Sequence, residues 1–282
     1  MLVDNAYDDA RFFSSVDAEL STRTRALLAC PIITALSPQP IGVIEILNTT
    51  SLARFTALII PEHGVHCAEG IENRCSTSHR RAMTEPTHFD TGAREWDQRP
   101  TSLQLAAVPP RLLAQVPFTA TDRVLDFGAG TGLLATAIAP HVAQVTALDS
   151  SGPMLQVLRE KGFANITTLQ QDIFDGLPER YDAIVSCMAM HHVPDTRALL
   201  QAFADALQPG GRIALVDLYA EDGSFHGDNA AKGVHHLGFT PDALQALAEQ
   251  AGLQGIAFTE VLRVHRPNGR EYPLFLMTGH KP

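Results

Sequence analysis

A glycine-rich turn is the strongest chemical signal in the sequence. In the segment VLDFGAGTG, Asp126 ends a predicted strand, and Gly128, Gly130 and Gly132 precede a predicted helix. Glycine has no Cβ, so the backbone can turn sharply from strand to helix and come within contact distance of a ligand. Open α/β sheets bind ligands at the carboxyl ends of their strands. The turn therefore predicts a ligand site at such an edge.

Acidic residues follow the next two predicted strands. Asp149 and Ser150 lie in QVTALDSS, and a carboxylate at that place can accept hydrogen bonds from both vicinal hydroxyls of a ribose. The alternative is that Asp149 caps a helix beginning near Pro153. In LQQDIFDGLP, Asp172 can accept from the exocyclic amine of an adenine, with Ile173 beside the ring, or it is an ordinary loop acid. A cofactor with a ribose is implied.

The elements that position these residues alternate between short apolar runs and segments of helical periodicity, which predicts a parallel sheet with crossover helices. The predicted strands are Arg123 to Phe127, Gln144 to Leu148, Ile166 to Leu169, Ala183 to Val185, Arg212 to Leu218, Ile256 to Val264 and Tyr272 to His280. The predicted helices are Leu133 to Pro140, Pro153 to Lys161, Thr196 to Leu207 and Pro241 to Ala251. Asn268-Gly269 between the last two strands is typical of a hairpin turn. We expect an antiparallel hairpin to finish the sheet.

The ordered series VLDFGAGTG, ALDSS, QQDIFDGLP, RYDAIVSCMAMHHVPD and LQPGGRIALVDL resembles the class I S-adenosylmethionine (SAM) dependent methyltransferases. It is most similar to those of ubiquinone and menaquinone biosynthesis, and FDTGAREWD resembles the segment that precedes their sheet. The resemblance covers about residues 87–282. It implies a Rossmann-like, seven-stranded, mostly parallel α/β sheet with helices on both faces and an antiparallel C-terminal hairpin strand.

The resemblance implies SAM as the cofactor and assigns its parts to the strand ends. The glycines line the methionine part, the acid after the second strand holds the ribose, and the residues after the fourth strand face the sulfonium. The expected cofactor residues are Asp126, Gly128, Gly130, Gly132, Asp149, Ser150, Met154, Asp172, Ile173, Ser186, Cys187 and Met188. Trp96 either lies near the sulfonium, where an aromatic face attracts cations, or packs the preceding segment onto the core.

Histidines follow the fourth strand and recur in a glycine-rich stretch after the fifth. In similar enzymes such loops form the acceptor pocket, so we place His191, His192 and His235 on the acceptor side, with His226 and His236 nearby. On extended backbone, adjacent side chains point to opposite faces, so at most one of each pair is expected to reach the pocket. General base, acceptor hydrogen-bonder and loop histidine remain open roles.

We interpret residues 1–82 as an N-terminal extension, poorly ordered or a remnant, and residues 83–282 as the methyltransferase domain. Residues 12–62 weakly resemble the C-terminal half of a GAF domain, a small-molecule-sensing module, and Met83 is an alternative start. The possible zinc ligands of this extension match no strong metal spacing, so no metal site is predicted. They are His63, His66, Cys67, Cys75 and His79.

Composition narrows the class of partner. A formal net charge of −10 disfavours nucleic acid and anionic membranes, because both would be repelled. No apolar run has the length of a membrane span, and four cysteines in 282 residues fit a cytoplasmic protein without a disulfide framework. We expect methyl transfer to a small-molecule acceptor. The alternatives are a non-catalytic SAM-binding or sensory regulator and an NAD-dependent oxidoreductase, although the glycine spacing departs from the dinucleotide fingerprint.

Overall fold

The computed structural model describes residues 2–3, 27–34, 37–47, 87–177 and 179–282. The chain divides into two compact units, Met1–Ala82 and Met83–Pro282. In the first unit, strands Leu2–Val3, Leu27–Thr34 and Ser37–Leu47 pair antiparallel in that order. Most of the GAF-like segment and all five possible zinc ligands lie outside the described residues. The candidate site belongs to the second unit.

Seven strands form the sheet of the second unit. In chain order they are β1 Arg123–Phe127, β2 Gln144–Asp149, β3 Ile166–Gln170, β4 Tyr181–Cys187, β5 Leu207–Leu218, β6 Gln254–His265 and β7 Glu271–His280. Their order across the sheet is β3-β2-β1-β4-β5-β7-β6. The first five are parallel, and β7 is antiparallel to both neighbours. The predicted mostly parallel sheet with a C-terminal hairpin is confirmed.

Short helices precede the sheet and longer ones connect its strands. The α-helices are α1 His88–Gly92, α2 Pro100–Leu105, α3 Val108–Leu113, α4 Leu133–Ile138, α5 Gly152–Glu160, α6 Thr196–Ala206 and α7 Pro241–Gln250. Short 3-10 helices span Ala93–Gln98, Ala139–His141, Ile173–Asp175 and Met190–His192. The N-cap of α6 is Asp195, whose carboxylate accepts from the Ala198 N–H, whereas the N-cap of α7, Thr240, makes no side-chain cap hydrogen bond.

Two apolar clusters hold the sheet between its helices. On one face, Leu134 of α4 and Leu155 of α5 pack with strand residues such as Val124. On the other face, Phe203 of α6 packs with strand residues such as Ile184. Each fully buried side chain of this size stabilises the fold by about 1.5–3 kcal/mol, so the sheet is a rigid base for the loops at its carboxyl edge. Among the described residues, no helix is long and apolar enough to cross a membrane.

Candidate functional site

The glycine loop lies between β1 and α4, and each of its three glycines needs a left-handed backbone. The φ angles of Gly128, Gly130 and Gly132 are 65°, 54° and 91°. A Cβ on Gly128 would lie 2.3 Å from the Ala189 Cβ, whereas one on Gly130 would meet nothing within 4 Å. Side chains rarely adopt such φ values. The loop therefore packs against the end of β4 on one side and is open at Gly130.

Asp126 fixes the start of the helix after the loop. Its carboxylate accepts a 2.9 Å hydrogen bond from the Ala135 N–H, and only 2% of the residue is exposed. Burial raises the pKa of this carboxyl to about 8, and the nearby Asp149 carboxylate contributes to the rise. Asp126 therefore holds the start of this helix in place from within the core. Its predicted contact with the cofactor stays a prediction.

Asp149 joins the end of β2 to the glycine loop. Its Oδ2 accepts from the Gly130 N–H at 2.7 Å, and its Oδ1 accepts from the Ser151 N–H at 2.8 Å. Burial raises the pKa of Asp149, although both N–H bonds act in the opposite direction. The cap of α5 is Ser151, whose Oγ accepts from the Met154 N–H at 3.3 Å. Asp149 is thus not the helix cap, and each of its oxygens keeps a lone pair for a further donor.

The residues predicted to hold the adenine differ in accessibility. Asp172 is exposed and accepts from the Phe174 N–H at 3.0 Å, so it also caps the short helix that follows it. Met154 and Ile173 are buried in the core, with 1% and 4% of their surfaces exposed, while Ser150 is exposed. Contact of the two apolar side chains with an adenine requires the surrounding loops to move apart. Their assignment to the adenine stays a prediction.

The end of β4 contains a strained residue. Met188, directly after β4, has a φ of 60°. Among the described residues, no other non-glycine residue has a positive φ. Such backbone costs of order 1–3 kcal/mol and concentrates at functional sites. Its neighbour Ser186 is fully buried and donates to the Phe127 carbonyl at 2.9 Å, which ties β4 to β1. Burial and the Asp217 and Asp126 carboxylates raise the pKa of the Cys187 thiol, so this thiol is protonated and a poor nucleophile.

Residues 88–98, here called the lid segment, are fastened to the carboxyl edge by polar side chains. Asp90 accepts from the Ser151 Oγ at 2.7 Å, and Asp97 pairs with Lys161 at 2.7 Å and accepts from the Thr131 hydroxyl. These contacts reach the glycine loop and α5. The segment is a short helix followed by a 3-10 helix.

Aromatic rings of the lid segment lie between a cation and a histidine. The Arg99 guanidinium lies 4.2 Å from the centroid of the Trp96 ring. Phe89 packs against Trp96 at 5.4 Å and against His192 at 5.1 Å between centroids. One face of Trp96 therefore already has a cationic partner from the protein itself. The structure favours packing as the role of Trp96, and contact with the sulfonium stays a prediction.

Three histidines meet beyond the ends of β4 and β5. His191 and His192 have ring centroids 4.2 Å apart, and the His226 centroid lies 4.9 Å from that of His191. The buried Asp217 of β5 accepts from His191 Nδ1 at 2.7 Å and from the His191 backbone N–H at 3.3 Å. We call these three rings the histidine cluster. His235 is exposed and contributes its backbone N–H to the His191 carbonyl at 2.9 Å.

The expectation that at most one ring of the pair at 191–192 reaches the pocket assumed extended backbone, which the structure does not have there. Residues 190–192 form a 3-10 helix, so adjacent side chains are not on opposite faces as they are in extended backbone. Sequence reasoning also missed Asp217, although a carboxylate within the apolar run IALVDL was a signal. The sequence pattern places His226 near the acceptor side but not among the histidines predicted to lie there. Nothing local to it reveals its contact with residues 35 positions away.

A separate open cleft of about 680 Å³ lies between the starts of α6 and α7 and includes His236. None of the predicted cofactor residues lines it. The predicted cofactor residues and the histidine cluster lie outside this cleft, at the strand ends described above.

The sheet order, the glycine loop and the acid after β2 define an α/β domain of the SAM-binding type. The chain belongs to the methyltransferase domain family, whose sequence profile matches residues 96–257. The cofactor of this domain is S-adenosylmethionine. The match places the domain among methyltransferases rather than among the NAD-dependent oxidoreductases considered as an alternative.

Curated relatives include an uncharacterized methyltransferase of Schizosaccharomyces pombe, 34% identical over 46% of this chain and 52% of the relative. A ubiquinone biosynthesis O-methyltransferase of Xanthomonas euvesicatoria is 32% identical over 57% of this chain and 76% of the relative. The chain spans about half the length of several other relatives it matches.

Among solved structures, the fold is similar to Haemonchus contortus phosphoethanolamine N-methyltransferase 2 in complex with phosphomonomethylethanolamine and S-adenosylhomocysteine. The TM-score is 0.56 at 18% identity, over 68% of this chain and 57% of that chain. This likeness supports the fold.

Proposed function

We propose that the protein transfers the sulfonium methyl group of SAM to a small-molecule acceptor held beside the histidine cluster. The proposal rests on one observation. The 2.7 Å hydrogen bond from the Gly130 N–H to Asp149 joins the glycine loop and the carboxylate predicted to bind the ribose in a single site. The histidine cluster follows β4, the strand next to β1, so a cofactor on that loop has the cluster on its acceptor side.

The reaction needs little from the protein besides position. A lone pair of the acceptor forms a bond to the methyl carbon while the S–C bond breaks and its electron pair stays on sulfur. The products are the methylated acceptor and neutral S-adenosylhomocysteine (SAH). Because the cofactor's positive charge disappears, a site that excludes water favours the transition state. Proximity and orientation can supply about 7–11 kcal/mol of the barrier.

The chemistry of the cluster favours a positioning role over a basic one. Burial, together with the neighbouring His191 ring, lowers the pKa of His192 to about 4 and that of His226 to about 3. A general base works best when its pKa is near the operating pH, so both rings are weak bases. As neutral imidazoles they instead offer a donor or an acceptor to a polar group.

Two further features support a small-molecule acceptor. The net charge of −10 opposes nucleic acids, and curated relatives carry the name ubiquinone biosynthesis O-methyltransferase, which favours an oxygen nucleophile. A cytoplasmic location remains part of the proposal and rests on the cysteine content.

The test is turnover of SAM to SAH by the purified full chain with a panel of phenols, amines and thiols. We expect acceptor-dependent formation of SAH, with the methyl group recovered on a phenol oxygen. Tight SAH binding with no turnover on any acceptor or metabolite extract would favour the non-catalytic SAM-binding regulator instead.

A further inference from the structure

The histidine cluster has the spacing of a metal-binding site. One ligand nitrogen from each of His191, His192 and His226 lies within 4.8 Å of the other two. The Nε2 atoms of His191 and His226 are 3.1 Å apart. Two nitrogens bound tetrahedrally at 2.0–2.1 Å from one ion would be separated by about 3.3 Å. The pair is thus near the required distance, and the full set needs at most about 1.5 Å of closure.

The hydrogen-bond partners of two rings occupy their Nδ1 atoms. Asp217 accepts from His191 Nδ1 at 2.7 Å, and the Gly233 carbonyl accepts from His192 Nδ1 at 2.9 Å. A carbonyl only accepts, so His192 carries its proton on Nδ1, and His191 does so towards the carboxylate. Each ring therefore has a lone pair on Nε2, and that of His191 faces the His226 Nε2, whose hydrogen bond an ion would replace. Metal-bound histidines are held in this way by a carboxylate or a carbonyl on the opposite nitrogen.

Burial places the orienting carboxylate out of reach of solvent. Asp217 is fully buried, and its oxygens also accept from the Leu218 N–H at 2.7 Å and from the His191 N–H at 3.3 Å. His192 and His226 are half-buried, so both rings remain accessible to an ion from solvent. The buried Asp217 carboxylate thus orients His191, the ring whose Nε2 lies 3.1 Å from that of His226.

We propose that His191, His192 and His226 bind one divalent transition-metal ion such as Zn²⁺, with Asp217 as the carboxylate that orients His191. Imidazole nitrogens select zinc, cobalt and similar ions over magnesium and calcium, which prefer oxygen. Three protein ligands leave a fourth position open, as in catalytic zinc sites. The same three rings lie at the predicted acceptor pocket.

The fourth position fits a hydroxyl oxygen of the acceptor, and this part rests on the proposed function. Zinc lowers the pKa of bound water to about 7, and a bound phenol would likewise release its proton to solvent. The oxygen lone pair would then form the bond to the methyl carbon as the S–C electron pair moves to sulfur. An ion would thereby supply the activation of the acceptor hydroxyl.

The test measures metal binding without turnover. The full chain is stripped with a chelator and titrated with Co²⁺, whose visible absorption reports tetrahedral nitrogen coordination, and Zn²⁺ is then added in competition. We expect one ion per chain, with the cobalt spectrum lost on addition of zinc. His226→Ala and His192→Ala should each abolish the spectrum. Asp217→Asn should weaken affinity by about 10- to 100-fold while one ion is still bound.

His235→Ala is the matched control, because its exposed ring lies outside the cluster and its backbone bond is kept. It should bind cobalt as the unaltered chain does. SAH affinity by calorimetry checks that each variant is folded. Unchanged SAH binding with loss of the cobalt spectrum supports the site.

Two results would overturn the proposal. One is the absence of a stoichiometric ion in a chain that binds SAH. The other is cobalt binding that survives both His226→Ala and His192→Ala but is lost in Cys67→Ser, which would assign the ion to the N-terminal segment. Neither result would contradict the proposed function, which is refuted only if SAH binding or SAM turnover is absent.

Discussion

Replacing Asp149 by alanine should weaken SAH binding far more than replacing Asp175, an exposed carboxyl in the short helix after β3. Asp149 has two oxygens that each accept one backbone N–H and keep a lone pair for a ribose hydroxyl. Hydrogen bonds to charged groups contribute about 1.5–3 kcal/mol. At about 1.4 kcal/mol per tenfold, each such bond is worth roughly 10- to 140-fold in Kd, so loss of Asp149 should weaken binding by at least about tenfold, measured by calorimetry.

The same substitution also removes the partner of the Gly130 and Ser151 N–H groups, and the assay must separate this from the ribose contact. A second ligand, 2′-deoxy-SAH, closes a thermodynamic cycle. Loss of the hydroxyl should weaken binding to the unaltered chain and to Asp175→Ala alike, yet have little further effect in Asp149→Ala. Equal effects of the deoxy ligand in all three proteins would refute the ribose assignment, whatever the change in melting temperature.

Three further predictions concern the loop, the core and the domain boundary. Gly132→Ala should lower stability more than Gly130→Ala in urea unfolding, because its Cβ would lie 2.2 Å from Leu158 while that of Gly130 meets only open space; Gly130→Ala should instead weaken SAH binding, and the reverse ranking would contradict the open loop. With the folded-state pKa of Asp126 raised to about 8, the folded state binds the extra proton, so this residue should make stability fall by up to about 1.4 kcal/mol per pH unit between about pH 4 and 8. Asp126→Asn should lack that part of the pH dependence, and parallel curves would show that Asp126 is ionised throughout. A chain beginning at Met83 should fold and bind SAH with the affinity of the full chain, and loss of either would make residues 1–82 integral to the domain.

Local pattern predicted the sheet well because each strand and helix is encoded by its own residues. Apolar runs located all seven strands within a few residues, and Asn268-Gly269 located the hairpin, where Gly269 has a φ of 77°. The glycine loop and Asp149 were also readable, since their positions follow from the strand ends. These features depend on the conformations of neighbouring residues, which local sequence patterns encode.

The histidine cluster was harder to predict because it depends on the path of the irregular loop between β5 and α7. His226 lies in a segment without helical or strand periodicity, and its distance to His191 is set by the tertiary structure. The 3-10 helix at residues 190–192 has no pattern that distinguishes it from an extended end of β4. The buried positions of Met154 and Ile173 likewise follow from packing in the folded chain.

The lid segment contacts both the loops that carry the predicted cofactor residues and the histidine cluster. It is fastened to the glycine loop and α5 through Asp97 and to the start of α5 through Asp90, while Phe89 lies against His192. Exposed ion pairs such as Asp97–Lys161 contribute only about 0–1 kcal/mol each, so these contacts cost little to break. Added salt screens the exposed pair and favours opening further, so we expect the rate of SAH release to rise with ionic strength if the lid segment covers the cofactor.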